Sequence, residues 1–506
     1  MMKILSCAQQ KEADAYTISN ENILSINLME KAASAITDEI CKRWNSSHRI
    51  VTFAGAGNNG GDAIAVSRML YLKGYKVKVY FFNIQGTPSE ECVTNIGRLQ
   101  QCGFDDYHEI KDSFEPPQLE SSDIIIDGLF GSGLNKPLSG GFAAVVNYIN
   151  ASQGTVVSID LPSGMMGEDN SNNIRQNIIH ADLTLSIQLP KLAFLMPENE
   201  DFTGEWKTLD IGISKTYIEN ASTPYYITEA KDVAALIKPR KRFAYKNMFG
   251  HGLLIAGSQG MAGAAILAAR ACLRSGIGLL TVHTPSANHA ILQTAVPEAM
   301  VEDDLCEHYY GAPADLDNYQ AVAIGPGMGQ EEDSALATYE QIKDCFIPLV
   351  LDADALNIFS THRNYLNYIP KGSILTPHIG ELERIVGKCN NSFERLGRAK
   401  DLASYLKSYI ILKGAHTAVI TPEGNFYFNP TGNPGMATGG SGDVLTGILL
   451  ALLAQGYDSE SACRLGTYVH GLAGDIACRR MGEISMTASD IIAALPEAWN
   501  TLSVIK

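Results

Sequence analysis

The residues best suited to chemistry lie in a glycine-rich loop that runs from Asn433 to Asp443. Its glycines and other small residues allow the backbone to approach a ligand closely. The loop leads directly into an apolar segment, Val444 to Ala454, which is predicted to be a buried helix. Because N–H groups at a helix start carry partial positive charge, Gly440 to Asp443 are predicted to bind an anion such as phosphate. Asp443 would exchange a proton with a group held over this loop, which indicates a nucleotide-dependent enzyme.

Five further polar motifs occur in the second half of the chain, and each accompanies a predicted strand. Ligands of open parallel sheets bind beyond the carboxyl ends of the strands, so these motifs are expected to converge. One glycine-rich loop could be only a tight turn, but repetition at several strand ends indicates a ligand site. The motifs are Gly257–Ala264, Gly325–Gly329, Asp352–Asn357, Thr376–Glu381 and Lys413–Thr417.

The first half of the chain contains three polar motifs at predicted strand ends: Gly55–Asp62, Ile126–Pro137 and Ile159–Gly164. The first matches Gly-x-Gly-x-x-Gly, but a dinucleotide site also needs an acid at the end of the next strand. That strand ends at Phe81–Asn83 without one, so a standard NAD site is not predicted. Each Asp alone could simply cap a turn. Together the motifs favour a polar ligand and a metal.

Two α/β blocks must position these motifs. In the first, strands are predicted at 49–54, 76–82, 123–129, 155–160 and 183–188, with helical patterns at 6–44 and 63–72. In the second, strands are predicted at 251–256, 278–283, 321–325, 349–351, 373–375 and 410–413. Strands that alternate with helices predict largely parallel sheets covered on both faces. Residues 214–224 are the candidate linker, which gives predicted domains 1–215 and 226–506.

Composition excludes several classes of protein. The 506 residues carry a net charge of −16, which argues against binding a nucleic-acid backbone. The longest apolar run, 444–454, is far shorter than the roughly 20 residues of a membrane span. The ten cysteines form no Cys-x-x-Cys pair, and the N-terminus lacks a signal-peptide pattern. We therefore expect reduced cysteines and a cytoplasmic location.

The motifs of the first block together resemble the NAD(P)H-hydrate epimerase domain over roughly residues 1–215. The matching segments are Asn27–Ala32, Gly57–Asp62, Asp127–Leu134 and Asp160–Gly164. The resemblance implies a Rossmann-like three-layer fold, K⁺ held by Asn59, Asp127 and Ser163, and Asp127 with Lys136 as the acid–base pair. The hydrated dinucleotide would contact Asn58, Asn59, Gly60, Gly61, Asp62, Gly131, Ser132, Gly133, Leu134, Asn135, Lys136, Pro137 and Asp160.

The motifs of the second block resemble the ribokinase-like superfamily and, within it, the ADP-dependent NAD(P)H-hydrate dehydratase, over about residues 226–506. The resemblance implies hydrate contacts at Ala264, Gly327, His378 and Asp443. It also implies ADP as cofactor, and Mg²⁺ is expected wherever phosphates bind. Nucleotide contacts would be Lys413, Gly414, Ala415, His416, Thr417, Asn433, Pro434, Gly435, Met436, Ala437, Thr438, Gly439, Gly440, Ser441 and Gly442.

The leading hypothesis is therefore a bifunctional, homo-oligomeric repair enzyme. Its first domain would interconvert the R and S hydrates of NADH and NADPH, and its second would dehydrate the S form with ADP. Asp443 would handle the proton of the departing hydroxyl, either directly or towards a phosphorylated intermediate. A ribokinase-like kinase of small vitamin-precursor alcohols is the main alternative, because it shares the glycine-rich loop. A nucleotide-sensing scaffold is a non-enzymatic alternative.

Overall fold

The computed structural model describes residues 1–84 and 86–505, which form two compact units. The first unit comprises Lys3–Thr223 together with Asn391–Phe393. The second comprises Met1–Met2, Pro224–Asn390 and the residues from Glu394 onward. The predicted linker, 214–224, ends where the chain passes from the first unit to the second and contains a short helix.

The first unit is built on a parallel sheet with the strand order β4-β3-β2-β5-β6-β7-β8. The chain begins with a two-residue strand, β1 (Met2–Lys3), which belongs to the other sheet. The strands of the parallel sheet are β2 (Arg49–Gly55), β3 (Lys76–Phe82), β4 (Tyr107–Ile110), β5 (Ile124–Gly128), β6 (Thr155–Ile159), β7 (Leu183–Ile187) and β8 (Glu205–Leu209).

Helices cover both faces of this sheet. Alternate strand residues point to opposite faces, and neighbours such as Ile50 and Val51 accordingly lie in different apolar clusters. Helix residue Ile64 packs on one side and Val146 on the other, which gives three layers. The helices are α1 (Cys7–Asn20), α2 (Ser25–Arg43), α3 (Asn58–Leu72), α4 (Glu90–Gln101), α5 (Gly140–Asn150), α6 (Glu200–Thr203) and α7 (Lys215–Asn220).

The second unit contains a larger sheet with the order β1-β9-β18-β17-β16-β15-β14-β13-β10-β11-β12. From β16 to β12 every pairing is parallel, whereas β16-β17-β18 form antiparallel pairs. The strands are β9 (Tyr225–Ile227), β10 (His251–Ile255), β11 (Leu279–Thr284), β12 (Met300–Asp303), β13 (Ala321–Ile324), β14 (Leu349–Leu351), β15 (Ile374–Leu375), β16 (Tyr409–Leu412), β17 (Ala418–Ile420) and β18 (Phe426–Phe428).

The helices of the second unit surround one almost completely buried helix, which begins in the glycine-rich loop. It approaches its neighbour so closely that a Cβ on Gly447 would lie 2.1 Å from the carbonyl oxygen of Ala268. The helices are α8 (Ala230–Leu236), α9 (Ala262–Arg274), α10 (His289–Ala295), α11 (Glu332–Lys343), α12 (Asp354–Thr361), α13 (Ile379–Val386), α14 (Ser392–Leu406), α15 (Ser441–Ala454), α16 (Ser459–Met481) and α17 (Ala488–Ile505).

The α/β class predicted from the sequence is confirmed, with parallel strands at the centre of both sheets. Seven strands were not predicted: β1, β4, β8, β9, β12, β17 and β18. All ten cysteines are free. Among the described residues, no helix is both long and apolar enough to cross a bilayer.

Candidate active sites

The first unit contains a cavity of about 930 Å³ beyond the carboxyl ends of β2, β5, β6 and β7. This is where ligands of parallel sheets bind. Helix α1 adds Cys7, Gln10, Lys11 and Asp14 to the wall, none of which a sequence motif had indicated. Of the predicted substrate contacts, the cavity is lined by Asn58, Asn59, Asp62, Gly131, Ser132, Gly133, Leu134, Asn135, Lys136, Pro137 and Asp160.

Gly60 and Gly61 do not line the cavity. They lie in the first turn of α3, where the chain packs closely against β2. A Cβ on Gly60 would lie 1.7 Å from the carbonyl oxygen of Gly55, and one on Gly55 would lie 2.1 Å from that of Leu129. Only glycine permits these approaches. The predicted helix therefore begins five residues earlier than expected, at Asn58, so that its first amide groups face the cavity wall.

Asp160 is held in a strained and charged environment. Its φ of +64° is unfavourable for a residue with a side chain, and such strain is frequently concentrated at functional sites. Its carboxylate lies 2.7 Å from Nζ of Lys191, whose side chain is 1% exposed. Burial acts to raise the pKa of Asp160, but the charge and hydrogen bond of Lys191 outweigh it and hold the pKa below its usual value.

Asp62 faces the same cavity in the opposite electrostatic situation. It is 7% exposed, and no hydrogen bond or ion pair joins its carboxyl group to the other described residues. Burial, followed by the negative charges of Asp160, Asp14 and Glu91, raises the pKa of Asp62 well above its usual value. Asp62 is therefore disposed to be neutral where Asp160 is ionised.

Asp127 does not line the cavity. It is fully buried and accepts hydrogen bonds from Ser163 Oγ (2.5 Å), Ser163 N (2.8 Å), Ser158 Oγ (2.7 Å) and Leu129 N (3.3 Å). Burial raises its pKa, and the two serines oppose that shift. Lys136, by contrast, is exposed at the cavity. Within residues 1–84 and 86–505 no contact joins the two, so the structure does not assemble the predicted acid–base pair.

Part of the cavity wall is aromatic. Phe82, Phe130 and Phe142 line it, and the rings of Phe130 and Phe142 meet edge to face with their centroids 4.7 Å apart. A ring system bound between this wall and the carboxylates would be apolar on one side and hydrogen-bonded on the other. Only Phe130 lies in a motif that the sequence had singled out.

In the second unit, the side chains of Asp475 and Asn433 hold the start of the glycine-rich loop through hydrogen bonds. Asp475 accepts hydrogen bonds from Gly432 N (3.1 Å) and Asn433 Nδ2 (2.9 Å), and Asn433 Oδ1 accepts one from Gly435 N (3.1 Å). Gly440 has a left-handed φ of +89° and immediately precedes α15. The first amide groups of α15 have no partners within the helix, which makes this end the expected anion site.

Asp443 lies beside a buried ion pair. Lys413 Nζ is 2.9 Å from Asp352 Oδ1, and Thr446 donates to Asp352 Oδ2 at 2.7 Å. Lys413 also borders the loop, since a Cβ on Gly442 would lie 3.3 Å from Nζ. Burial, with the charges of Asp352 and Asp354, raises the pKa of Asp443 to about 7, while Lys413 acts to lower it. The structure thus joins three motifs that are far apart in sequence: Asp352–Asn357, Lys413–Thr417 and the glycine-rich loop.

Three other predicted hydrate contacts lie in the segments that follow strands of the same sheet, with Ala264 in the first turn of α9. Ala264 and Gly327 are neighbours, because a Cβ on Gly327 would lie 3.0 Å from that of Ala264. His378 is the N-cap of α13, where its Nδ1 accepts from Gly380 N at 3.0 Å. A backbone bridge pairs His378 with Lys413. The ring of His378 therefore has a structural role in addition to the predicted ligand contact.

The remaining predicted nucleotide residues follow β16 or precede α15. Gly414 to Thr417 form a turn closed by a hydrogen bond of 3.0 Å from Thr417 Oγ1 to Gly414 O. His470 was not indicated by the sequence, yet its Nε2 lies 3.4 Å from Oγ of Ser441 in the loop. Burial lowers the pKa of His470 to about 4, so it is neutral under the anion site.

The fold and the two clusters define an α/β enzyme with two separate sites. Residues 252–497 match the family model described as NAD(P)H-hydrate dehydratase, and residues 25–193 match the YjeF-related protein N-terminus. A relative from Moorella thermoacetica, the bifunctional NAD(P)H-hydrate repair enzyme Nnr, is 33% identical over 99% of this chain and 97% of its own length. The chain belongs to the family of bifunctional NAD(P)H-hydrate repair enzymes.

A second relative agrees with this assignment. The Escherichia coli protein of the same name is 30% identical over 94% of this chain and 89% of its own. A solved ADP/ATP-dependent NAD(P)H-hydrate dehydratase from Bacillus subtilis, co-crystallised with ATP and Mg²⁺, is 31% identical over 55% of this chain and 98% of that chain, with a TM-score of 0.49. The resemblance noted in the sequence is confirmed, and the kinase alternative is not favoured.

Proposed function

We propose that the second unit removes water from the S hydrate of NADH and NADPH with ADP or ATP as the nucleotide. The observation that carries this proposal is Asp443, placed between the amide groups of the glycine-rich loop and the Lys413–Asp352 pair. A pKa of about 7 allows Asp443 to carry a proton at neutral pH. It donates this proton to the departing hydroxyl while the ring nitrogen's electron pair expels water, and the resulting iminium ring then loses a proton from the neighbouring ring carbon to give NADH or NADPH.

The other residues of this site would bind and orient the two ligands. We assign the hydrate to Ala264, Gly327 and His378, and the nucleotide to 413–417 and 433–442. Amide groups at the start of α15 would hold phosphate oxygens, and Lys413 would offset their charge. Mg²⁺ would accompany the nucleotide phosphates. Among the described residues no group of three His, Cys, Asp or Glu side chains could hold a metal, so we assign it no protein ligands.

We further propose that the first unit interconverts the R and S hydrates, with the dinucleotide in the cavity between α1 and the ends of β2, β5, β6 and β7. K⁺ fits the oxygen-rich cluster of Asn59, Asp127 and Ser163. Asn59 Nδ2 donates to the carbonyl oxygen of Phe130 at 3.0 Å, and Ser163 Oγ lies 3.1 Å from the same oxygen. Asp127 has only neutral hydrogen-bond donors around it, so a monovalent cation would balance its charge.

Absorbance at the reduced-nicotinamide band tests both activities when separated R and S hydrates are supplied with ADP and then with ATP. We expect NADH or NADPH to form from S directly and from R after epimerisation. Asp443→Asn should lower dehydration by at least ~100-fold and leave nucleotide binding nearly unchanged, because the loop amides remain. Turnover close to that of the wild type would exclude Asp443 as the proton donor.

The same preparation can be offered vitamin-precursor alcohols with ATP. ADP release in step with consumption of one such alcohol, without any action on the hydrates, would replace the dehydratase proposal by the kinase alternative. We also propose a homo-oligomer, which sedimentation of the full chain would test.

A further inference from the structure

The cavity of the first unit holds two carboxyl groups in opposed environments. Asp160 forms an ion pair with buried Lys191, whereas Asp62 has no partner among the described residues and is 7% exposed. Both line the cavity. When surroundings separate two carboxyl groups in this way, one serves as an acid and the other as a base at the same pH.

Building on the proposed epimerisation, we propose that Asp62 is the proton donor of the first unit and that Lys191 is the positioning residue that keeps Asp160 as the proton acceptor. This pair replaces Asp127 and Lys136, because Asp127 lies outside the cavity wall with both carboxylate oxygens already occupied by hydrogen bonds.

Contacts from α1, from β7 and from the loop after β7 hold the ammonium group of Lys191 in place. Besides Asp160, its Nζ contacts Gln10 Oε1 at 2.7 Å, Ser186 Oγ at 3.2 Å and Leu189 O at 3.3 Å. These contacts occupy the donors of an ammonium group. Lys191 does not line the cavity, so it acts on the substrate only through Asp160. The other oxygen of Asp160 is near Ser132 N, at 3.3 Å.

The chemistry needs one acid and one base. The hydrated ring carbon carries a hydroxyl and the ring nitrogen. Asp160 removes the hydroxyl proton, the oxygen's electrons form a C=O bond, and the C–N electron pair moves to nitrogen, which takes the proton of Asp62. After rotation of the aldehyde, nitrogen attacks the opposite face, returns its proton to Asp62, and the oxygen regains the proton held by Asp160. The cycle is balanced and consumes no co-reactant.

Other charged groups around Asp62 act in the same direction. Asp14 of α1 and Glu91 of α4 add negative charge and favour the neutral acid, as does Asp160. Burial and the charge of Asp160 raise the pKa of Asp14 to about 6, while the charge of Lys191 acts to lower it. Lys11 is the cationic side chain that α1 contributes to the cavity wall. The proton-donor role of Asp62 thus depends on more than one element.

Epimerisation can be measured in the full chain without nucleotide, by chromatographic separation of R and S hydrates as R is converted. Asp62→Asn, which preserves size, should lower kcat by at least ~100-fold with little change in KM. Asp38→Asn, an exposed position on α2, is the matched control and should not change the rate. Lys191→Gln should shift the acidic limb of the pH profile to higher pH, because Asp160 then ionises less readily.

The outcomes separate the possibilities. Asp62→Asn with a rate near that of the wild type would refute the donor role. Lys191→Gln that loses activity equally at every pH would mean that Lys191 is merely structural. Continued dehydration of the S hydrate by these variants shows that the chain is folded. A wild-type chain that does not convert R to S would instead refute the proposed epimerisation itself.

Discussion

At the scale of single residues, three buried aspartates and the partly exposed Asp443 show how surroundings assign roles to one side-chain type. Asp160 and Asp352 each have a lysine partner, and their pKa values stay low although burial alone would raise them. Asp62 and Asp443 have no such partner of their own, and burial raises their pKa values. The same division recurs in both units, so each site holds one ionised carboxylate and one that can carry a proton.

The pH dependence of dehydration follows from Asp443. If its protonated form is the active one, kcat/KM should fall as the pH rises above its pKa of about 7. Asp352→Asn removes a negative charge that raises this pKa and releases Lys413, so the alkaline limb should move to lower pH. A pH–rate profile of the S hydrate measures this. An unchanged alkaline limb would show that another group titrates.

At the scale of elements, helix starts form both sites. The cavity wall of the first unit includes the start of α3, and the proposed anion site of the second is the start of α15. In both cases glycines permit backbone approaches that a Cβ would prevent, at Gly60 and at Gly440. A glycine at or near the first turn of the helix therefore lets a strand–turn–helix unit present its free amide groups to an anion.

Gly440→Ala should disturb the start of α15. A left-handed φ of +89° and a Cβ 2.4 Å from Leu267 Cδ1 both oppose the substitution. Together they should cost about 2–4 kcal/mol of unfolding free energy and weaken nucleotide binding. Thermal unfolding measures the loss. Gly439→Ala is the matched control for stability, because a Cβ there meets nothing within 4 Å; equal destabilisation by both would contradict this explanation.

His378 has two possible roles that substitution can separate. Asn is a good N-cap and should keep α13 stable, whereas His378→Ala should lose about 1 kcal/mol. If the ring also contacts the hydrate, His378→Asn should raise KM for the S hydrate without changing the melting temperature. A normal KM in His378→Asn would leave the histidine with its capping role alone.

At the scale of the whole molecule, the chain divides into two units, and each contains its own site. The activities should therefore be separable. Asp127→Ala should slow use of the R hydrate and spare the S hydrate, while Asp443→Asn should do the reverse. When the two variants are mixed, NADH formation from R should return in proportion to the added Asp443→Asn protein. Absorbance measures this, and failure to recover would indicate that the intermediate is not released.

The sequence by itself determined the class of fold, because apolar strands and amphipathic helices carry their period in local residue order. It also located the glycine-rich loops that lead into α3 and α15, since glycine spacing reports backbone geometry directly. Short strands such as β17 and β18 were missed because three residues are too few to show a period and, unlike the equally short β14 and β15, they are not followed directly by one of the polar motifs. Helix α3 was predicted to start too late, because its glycines disfavour a helix unless packing compensates.

Only the tertiary structure decided which side chains share a site. Lys191, Gln10 and His470 lie in no motif, and their partners Asp160 and Ser441 are distant in sequence. Asp127 and Asp160 look equivalent at two strand ends, yet one is turned into a shell of hydrogen-bond donors and the other towards the cavity. Proton affinity depends on burial and on charges brought together by folding, and residue order does not encode these directly.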